Sequence, residues 1–148
     1  MRVAELISAK GSAVIAVFAS VRLREAARIM REQAVGALVV VTPTGQLAGV
    51  ISEREIVEAL ALRAEAALDV RMSDLMLPDR PTVAPTDTVR DAMTIMTERR
   101  VRHLPVVSDG SVVGLVSIGD TVKARLTEKI TENLVLQDIA RWPPATMG

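Results

Sequence analysis

Cysteine and tyrosine are absent from this 148-residue chain, and histidine, phenylalanine and tryptophan occur once each. Without cysteine there is no thiol nucleophile, disulfide or cysteine-rich zinc site, and the single His103 cannot make an HExxH helix. So few aromatics leave no series of platforms on which single-stranded nucleic acid would stack. An excess of charge is missing too. Eighteen basic residues offset 18 acidic ones, so no global field gathers DNA or RNA and no nucleic-acid partner is expected. Hydrophobic residues make up 49% of the chain, yet no apolar run reaches the ~18 residues of a membrane span. The opening segment also lacks the basic start, long apolar stretch and cleavage site of a signal peptide. A cytoplasmic protein with no membrane partner is the expectation. One histidine and scattered carboxylates assemble no nucleophile with its base, so an enzyme is not expected, nor any required cofactor or metal.

What is present is a repeat. Gly49-Val-Ile-Ser52-Glu-Arg-Glu55 returns 65 positions later as Gly114-Leu-Val-Ser117-Ile-Gly-Asp120. A buried strand that ends in Ser-x-x-acid before a helical run is one supersecondary unit built twice. Upstream, Glu25-Ala26-Ala27-Arg28-Ile29-Met30 matches Asp91-Ala92-Met93-Thr94-Ile95-Met96 at an offset of 66. The one-residue slip falls where Thr42-Pro43-Thr44-Gly45 is shortened to Ser108-Asp109-Gly110, in a turn, which tolerates length change better than a packed strand. The openings, Arg2-Val3 and Arg71-Met72, match at an offset of 69, which leaves three extra residues in the first copy near Lys10-Gly11-Ser12. Copies of about 60 residues rarely bury enough surface alone, so the two should share a core.

In the first copy the pattern predicts helix at 3–7, strand at 14–17, helix Leu23–Gln33, strands Ala37–Val41 and 47–51, and helix at 53–67. The second copy gives helix Met72–Leu75, strand at 82–83, helix Val89–Arg99, strands at 103–107 and 112–116, and helix from Gly119 onward. The helical apolar spacing of Leu23, Ala26, Ala27, Ile29 and Met30 recurs at Val89, Ala92, Met93, Ile95 and Met96. Strands 38–41 and 104–107 are continuously apolar, which predicts burial on both faces of a parallel or mixed sheet covered by helices. Residues 122–141 have helical composition and stop before Pro143-Pro144. Leu126, Ile130, Leu134 and Ile139 would line one face of that helix, with Trp142 at its end, packed on its own subunit or a partner.

With Leu104-Pro105-Val106-Val107, Gly110 and the paired Ser-x-x-acid motifs, residues 1–128 resemble the cystathionine-beta-synthase (CBS) domain family in its tandem form, the Bateman module. The resemblance implies an α/β (α+β) fold of two βαββα-type repeats packed as a pseudo-two-fold pair. They would divide as 1–68 and 69–128, with a C-terminal helix and tail at 129–148. It also implies regulatory binding of an adenosyl compound (AMP, ADP or ATP, with NAD-like dinucleotides or S-adenosylmethionine as variants) in clefts between the copies. Such pairs in this family form flat homodimeric discs.

The resemblance carries Asp120 to the ribose hydroxyls and Ser117 to a phosphate, with Gly119 leaving room for close approach. Independently, a hydroxyl and a carboxylate beside the free N–H groups of a helix start suit a phosphate and a diol. The same Ser-x-x-acid pattern is a helix capping box, and the residues alone leave both readings open. Arg102 and His103 stand where the family places basic residues near phosphates. Thr82 and Val83, and Val14 with Ile15 in the other copy, would wall the adenine. The first copy departs from this pattern: Glu55 replaces Asp, and Gly36-Ala37 replace Arg102-His103. Ser52, Arg54, Glu55 and Lys10 are its candidate ligand-binding residues, Arg54 and Lys10 supplying charge or surface salt bridges. Two functions follow as expectations: an adenosyl sensor acting on an unidentified effector protein, or a structural, dimerising module with no ligand.

Overall fold

The computed structural model describes residues 1–11, 14–77 and 79–141. Ser12, Trp142 and Pro143-Pro144 fall outside them. Among the described residues the order is α1 (Val3–Lys10), β1 (Ala16–Phe18), α2 (Leu23–Gln33), β2 (Ala37–Val41), β3 (Leu47–Ser52) and α3 (Glu53–Arg63). A 3-10 segment (Ala64–Asp69) leads to α4 (Met72–Leu75), α5 (Val89–Arg99), β4 (His103–Ser108), β5 (Ser111–Ser117) and α6 (Ile118–Arg141).

The first sheet runs β1-β2-β3, with β1 parallel and β3 antiparallel to β2. The second is the β4-β5 hairpin. Here the strand expected at 82–83 shrinks to one parallel bridge between Val83 and Val106. Val83 donates to the Pro105 carbonyl and accepts from the Val107 amide, but Pro81 and Pro85 flank it. Proline has no N–H with which to extend a ladder. In the first copy the strand starts at Ala16, two residues later than expected, although the Ile15 carbonyl already accepts from Val39.

Repetition reaches into backbone detail. α2 and α5 end on non-glycine residues in the left-handed region, Ala34 (φ 53°) and Arg100 (φ 54°). β2 and β4 shift register at the equivalent steps Val40/Val41 and Val106/Val107. The slipped turn is a two-residue Asp109-Gly110 loop with positive φ at both positions, the hairpin geometry that matches strand twist. α3 stops at Arg63 instead of reaching residue 67. The 3-10 segment then bends back and buries Ala67 completely in the core that holds α2.

Two apolar clusters form, and each takes its opening helix from the other copy. Val3 and Leu6 of α1 pack with Val89, Met96, Leu104 and Val116 of the second copy. Met72 of α4 packs with Leu23, Leu38 and Ile51 of the first. The backbone fixes this exchange twice: the Val3 amide donates to the Asp87 carbonyl and the Met72 amide to the Val21 carbonyl, each at 2.8 Å. The repeated glycines make room for it. A Cβ on Gly114 would lie 2.8 Å from Ile7 Cδ1, and one on Gly49 would lie 3.0 Å from Met76 Sδ and 3.1 Å from the Leu77 carbonyl oxygen.

α6 is anchored through its first half, where Thr121 and Ala124 are buried and Glu128 pairs with the N-terminal ammonium at 3.2 Å. Its own subunit does not cover the expected apolar face: Leu126, Ile130, Leu134 and Ile139 are all more than half exposed. Among the described residues no helix is long and apolar enough to cross a membrane.

Candidate functional site

Among the described residues two clefts open between the copies. The larger, about 690 Å³, is bounded by the start of α3 (Ser52, Arg54, Glu55), by α4 and Arg80, and by the α5–β4 corner from Arg99 to His103. The smaller, about 300 Å³, is lined by Lys10, Val14, Ile15, Gly36, Ala37, Leu115 and Ser117 on its two sides, with His103 common to both clefts.

This geometry regroups the sequence candidates. Arg102 and His103 share a cleft with Ser52 and Glu55 of the other copy, while Ser117 of the second copy shares one with Gly36 and Ala37 of the first. Within each hairpin, His103 lies opposite Ser117 and Ala37 opposite Ser52. The starts of β2 and β4 also meet, since a Cβ on Gly36 would sit 3.9 Å from His103 Nε2.

At the head of α6, Asp120 and Ser117 cap one another: the Ser117 amide donates to Asp120 Oδ2 at 2.9 Å and the Asp120 amide to Ser117 Oγ at 3.1 Å. Lys10, arriving from the first copy, donates to the same carboxylate oxygen at 2.6 Å and to the Leu115 carbonyl at 2.7 Å. Burial alone would raise the Asp120 pKa. The hydrogen bonds from Lys10 and Ser117 outweigh it and hold the carboxyl below its ordinary value.

The head of α3 mirrors this arrangement. The Ser52 hydroxyl donates to Glu55, and Arg80, arriving from the second copy, pairs with the same carboxylate. Here both charged side chains are only 7% exposed. Sequence reasoning missed Arg80. Its signal was that each copy carries one basic residue ahead of its first strand position, Lys10 at the end of α1 and Arg80 after α4, hidden by segments of unequal length. His103 lies between the two centres. Burial, then the charge of Arg80, holds its pKa below the usual imidazole value.

Other candidates lie apart from these centres. Val83 is 2% exposed in the second core, both its backbone edges are taken by β4, and neither it nor Thr82 lines either cleft. Arg54 lines the large cleft but pairs with Glu58 at 3.2 Å. A Cβ on Gly119 would meet only Ser117 Oγ, at 3.7 Å. Among the described residues no cluster of three or more His, Asp or Glu side chains is placed to hold a metal ion.

The model of the CBS domain matches this chain twice, over residues 4–62 and 72–127. The chain belongs to the CBS domain family. A mitochondrial CBS domain-containing protein of Arabidopsis thaliana, CBSX3, is 39% identical over 108 residues, covering 70% of this chain and 52% of its own length. The chain thus spans about half of that relative. The crystal structure of the CBS-domain protein ATU1752 from Agrobacterium tumefaciens superposes with a TM-score of 0.80 at 36% identity, covering 84% of this chain and 92% of that one. The CBS domain pair of protein MJ0100, solved with 5'-methylthioadenosine and S-adenosyl-L-methionine, shares the fold at a TM-score of 0.77 and 22% identity, over 86% of this chain and 98% of that one.

Proposed function

We propose that this CBS pair is a regulatory module that binds an adenosyl ligand of the AMP, ADP or ATP type between its copies and passes the signal to a partner protein. One observation carries the reading. Glu55 at the entrance of α3 lines the large cleft, Asp120 at the entrance of α6 is bonded to the Lys10 and Ser117 that line the small one, and each carboxylate is held by a basic side chain from the opposite copy. A ribose diol donating two hydrogen bonds to such a carboxylate competes with that cation, so occupancy changes the contact between copies. That the MJ0100 pair was solved with two adenosyl compounds supports the choice of ligand class.

The second reading, a structural module without ligand, draws on the same bonds: Asp120 is already satisfied by Lys10 and Ser117. Thermal unfolding with and without AMP, ADP, ATP, S-adenosylmethionine and 5'-methylthioadenosine separates the two. A ligand at a hundred times its dissociation constant stabilises by about 2.7 kcal/mol. If millimolar concentrations of all five leave the transition unmoved, the structural reading replaces the sensor.

The same reading includes a homodimer and a cytoplasmic location. Val57, Leu60 and Leu62 on α3, with Val122, Leu126 and Ile130 on α6, expose large apolar side chains, and such surface in quantity is characteristic of an interface. Sedimentation at the 15.9 kDa of a single chain would remove the dimer.

A further inference from the structure

The two clefts are chemically unequal, although the repeat that built them is regular. Six arginines line the large one (Arg54, Arg63, Arg80, Arg99, Arg100 and Arg102) against three carboxylates (Glu55, Glu58 and Asp74), a balance of 6 − 3 = +3 with His103 neutral. Arg54 and Arg80 are committed to Glu58 and Glu55. Among the described residues the other four arginines form no ion pair, and only Asp74 remains to offset them. The first turn of α3, whose N–H groups also favour an anion, faces the same space.

An independent observation lies in Arg80. Its side chain is 7% exposed, and its Nε is buried without a hydrogen-bond partner. A buried guanidinium donor left unpaired is costly, so Arg80, which lines the cleft wall, is not fully satisfied by Glu55. Among the described residues the small cleft has only Lys10 as a charged lining residue, and its ammonium is tied to Asp120.

We propose that the large cleft selects a polyphosphate: it takes a nucleoside di- or triphosphate over the monophosphate or the uncharged nucleoside, with the phosphate chain held by Arg99, Arg102 and Arg80. This rests on the adenosyl-binding reading and adds to it which end of the ligand discriminates. Guanidinium groups suit the task because each can offer two parallel N–H donors to phosphate oxygens.

Calorimetry on the full chain at fixed ionic strength, with adenosine, AMP, ADP, ATP and inorganic triphosphate as probes, tests it. Affinity is expected to rise by about tenfold or more from AMP to ATP. That ratio should fall towards one in Arg99→Gln/Arg102→Gln, whose two side chains are exposed and form no ion pair among the described residues. Equal affinities for adenosine, AMP and ATP overturn the proposal and leave the adenosyl sensor standing. An ATP preference that survives the double substitution overturns it as well. Binding of triphosphate that neither adenosine nor AMP can displace supports the basic cleft and removes the adenosyl reading instead.

Discussion

Replacing Arg80 by methionine is expected to destabilise the chain severely, while replacing Lys10 by methionine is expected to matter little. Both residues pair with a carboxylate at a helix entrance, but the surroundings differ. Arg80 and Glu55 are each 7% exposed, whereas Lys10 and Asp120 are 39% and 24% exposed. Removing one member of a buried pair strands the other charge in a poorly hydrated site, at a cost of about 3–5 kcal/mol. A pair reached by water is screened and contributes about 1 kcal/mol or less. For a chain of this length each kcal/mol corresponds to roughly 2–4 °C in Tm. Arg80→Met should therefore lower Tm by roughly 6–20 °C and Lys10→Met by at most about 4 °C. Urea unfolding followed by circular dichroism gives the same comparison as a shift in midpoint at constant slope. The decisive construction is the double variant Arg80→Met/Glu55→Leu, which removes both charges and should recover most of the loss. Were Arg80→Met to cost under about 1 kcal/mol, or the two single losses simply to add in the double variant, the buried pair would not be the inter-copy clamp described above.

Asp120→Ala removes the cap and the Lys10 contact together. It should cost about 1 kcal/mol of stability and weaken adenosyl-ligand binding by about 10- to 150-fold, both readable by calorimetry; a stability loss with unchanged binding would reduce Asp120 to a cap. Because burial and Arg80 hold His103 below its usual value of 6.5, the unfolded chain binds more protons between the two values. Stability then rises with pH through that window, is complete above about pH 6.5, and falls on acidification. Asp120 acts in the same direction at lower pH, its contribution being present above its ordinary 3.8 and lost as pH drops through the lowered folded value. Urea midpoints from pH 4 to 8 should show the His103 slope in wild type and lose it in His103→Gln; a midpoint that climbs on acidification contradicts the assignment. Gly49→Ala should cost about 1–3 kcal/mol, because the new Cβ presses on the Leu77 carbonyl, whereas Gly114→Ala should cost less, because the tip of Ile7 can turn away. Thermal unfolding that ranks the two glycines in the reverse order would place the tighter helix–strand contact in the second copy.

Sequence made the repeated elements readable where physics is local. The apolar stripe of α2 and α5, the continuous apolar runs of β2 and β4, and the shortened Asp109-Gly110 turn all express spacing within a few residues. What escaped depends on chain path. A repeat alignment says that α1 and α4 are equivalent, but not that each crosses to the other copy's sheet. For the same reason Arg102 and His103 align with Gly36 and Ala37 yet serve the cleft of Glu55, and the motifs do not specify which partner faces them. Thr82 and Val83 illustrate a different limit: their β-propensity is right, but the prolines on either side confine pairing to one bridge. The α6 face shows a third, since apolar spacing identifies a face without saying what covers it.

The exchange of opening helices also explains why stability and site chemistry are difficult to separate in this protein. α1 contributes Val3 and Leu6 to the second core and, at its C-terminal end, delivers Lys10 to Asp120. α4 contributes Met72 to the first core and is followed by Arg80 at Glu55. The segment that completes each copy's core is thus the segment that fills its helix-entrance carboxylate. A copy cut out alone loses part of its apolar core and the cation for its acid at once, so neither half should fold independently. A ligand that displaces either cation acts on the same short connection that holds the two halves together, and its effect must be read in the packing between copies as well as in the cleft it occupies.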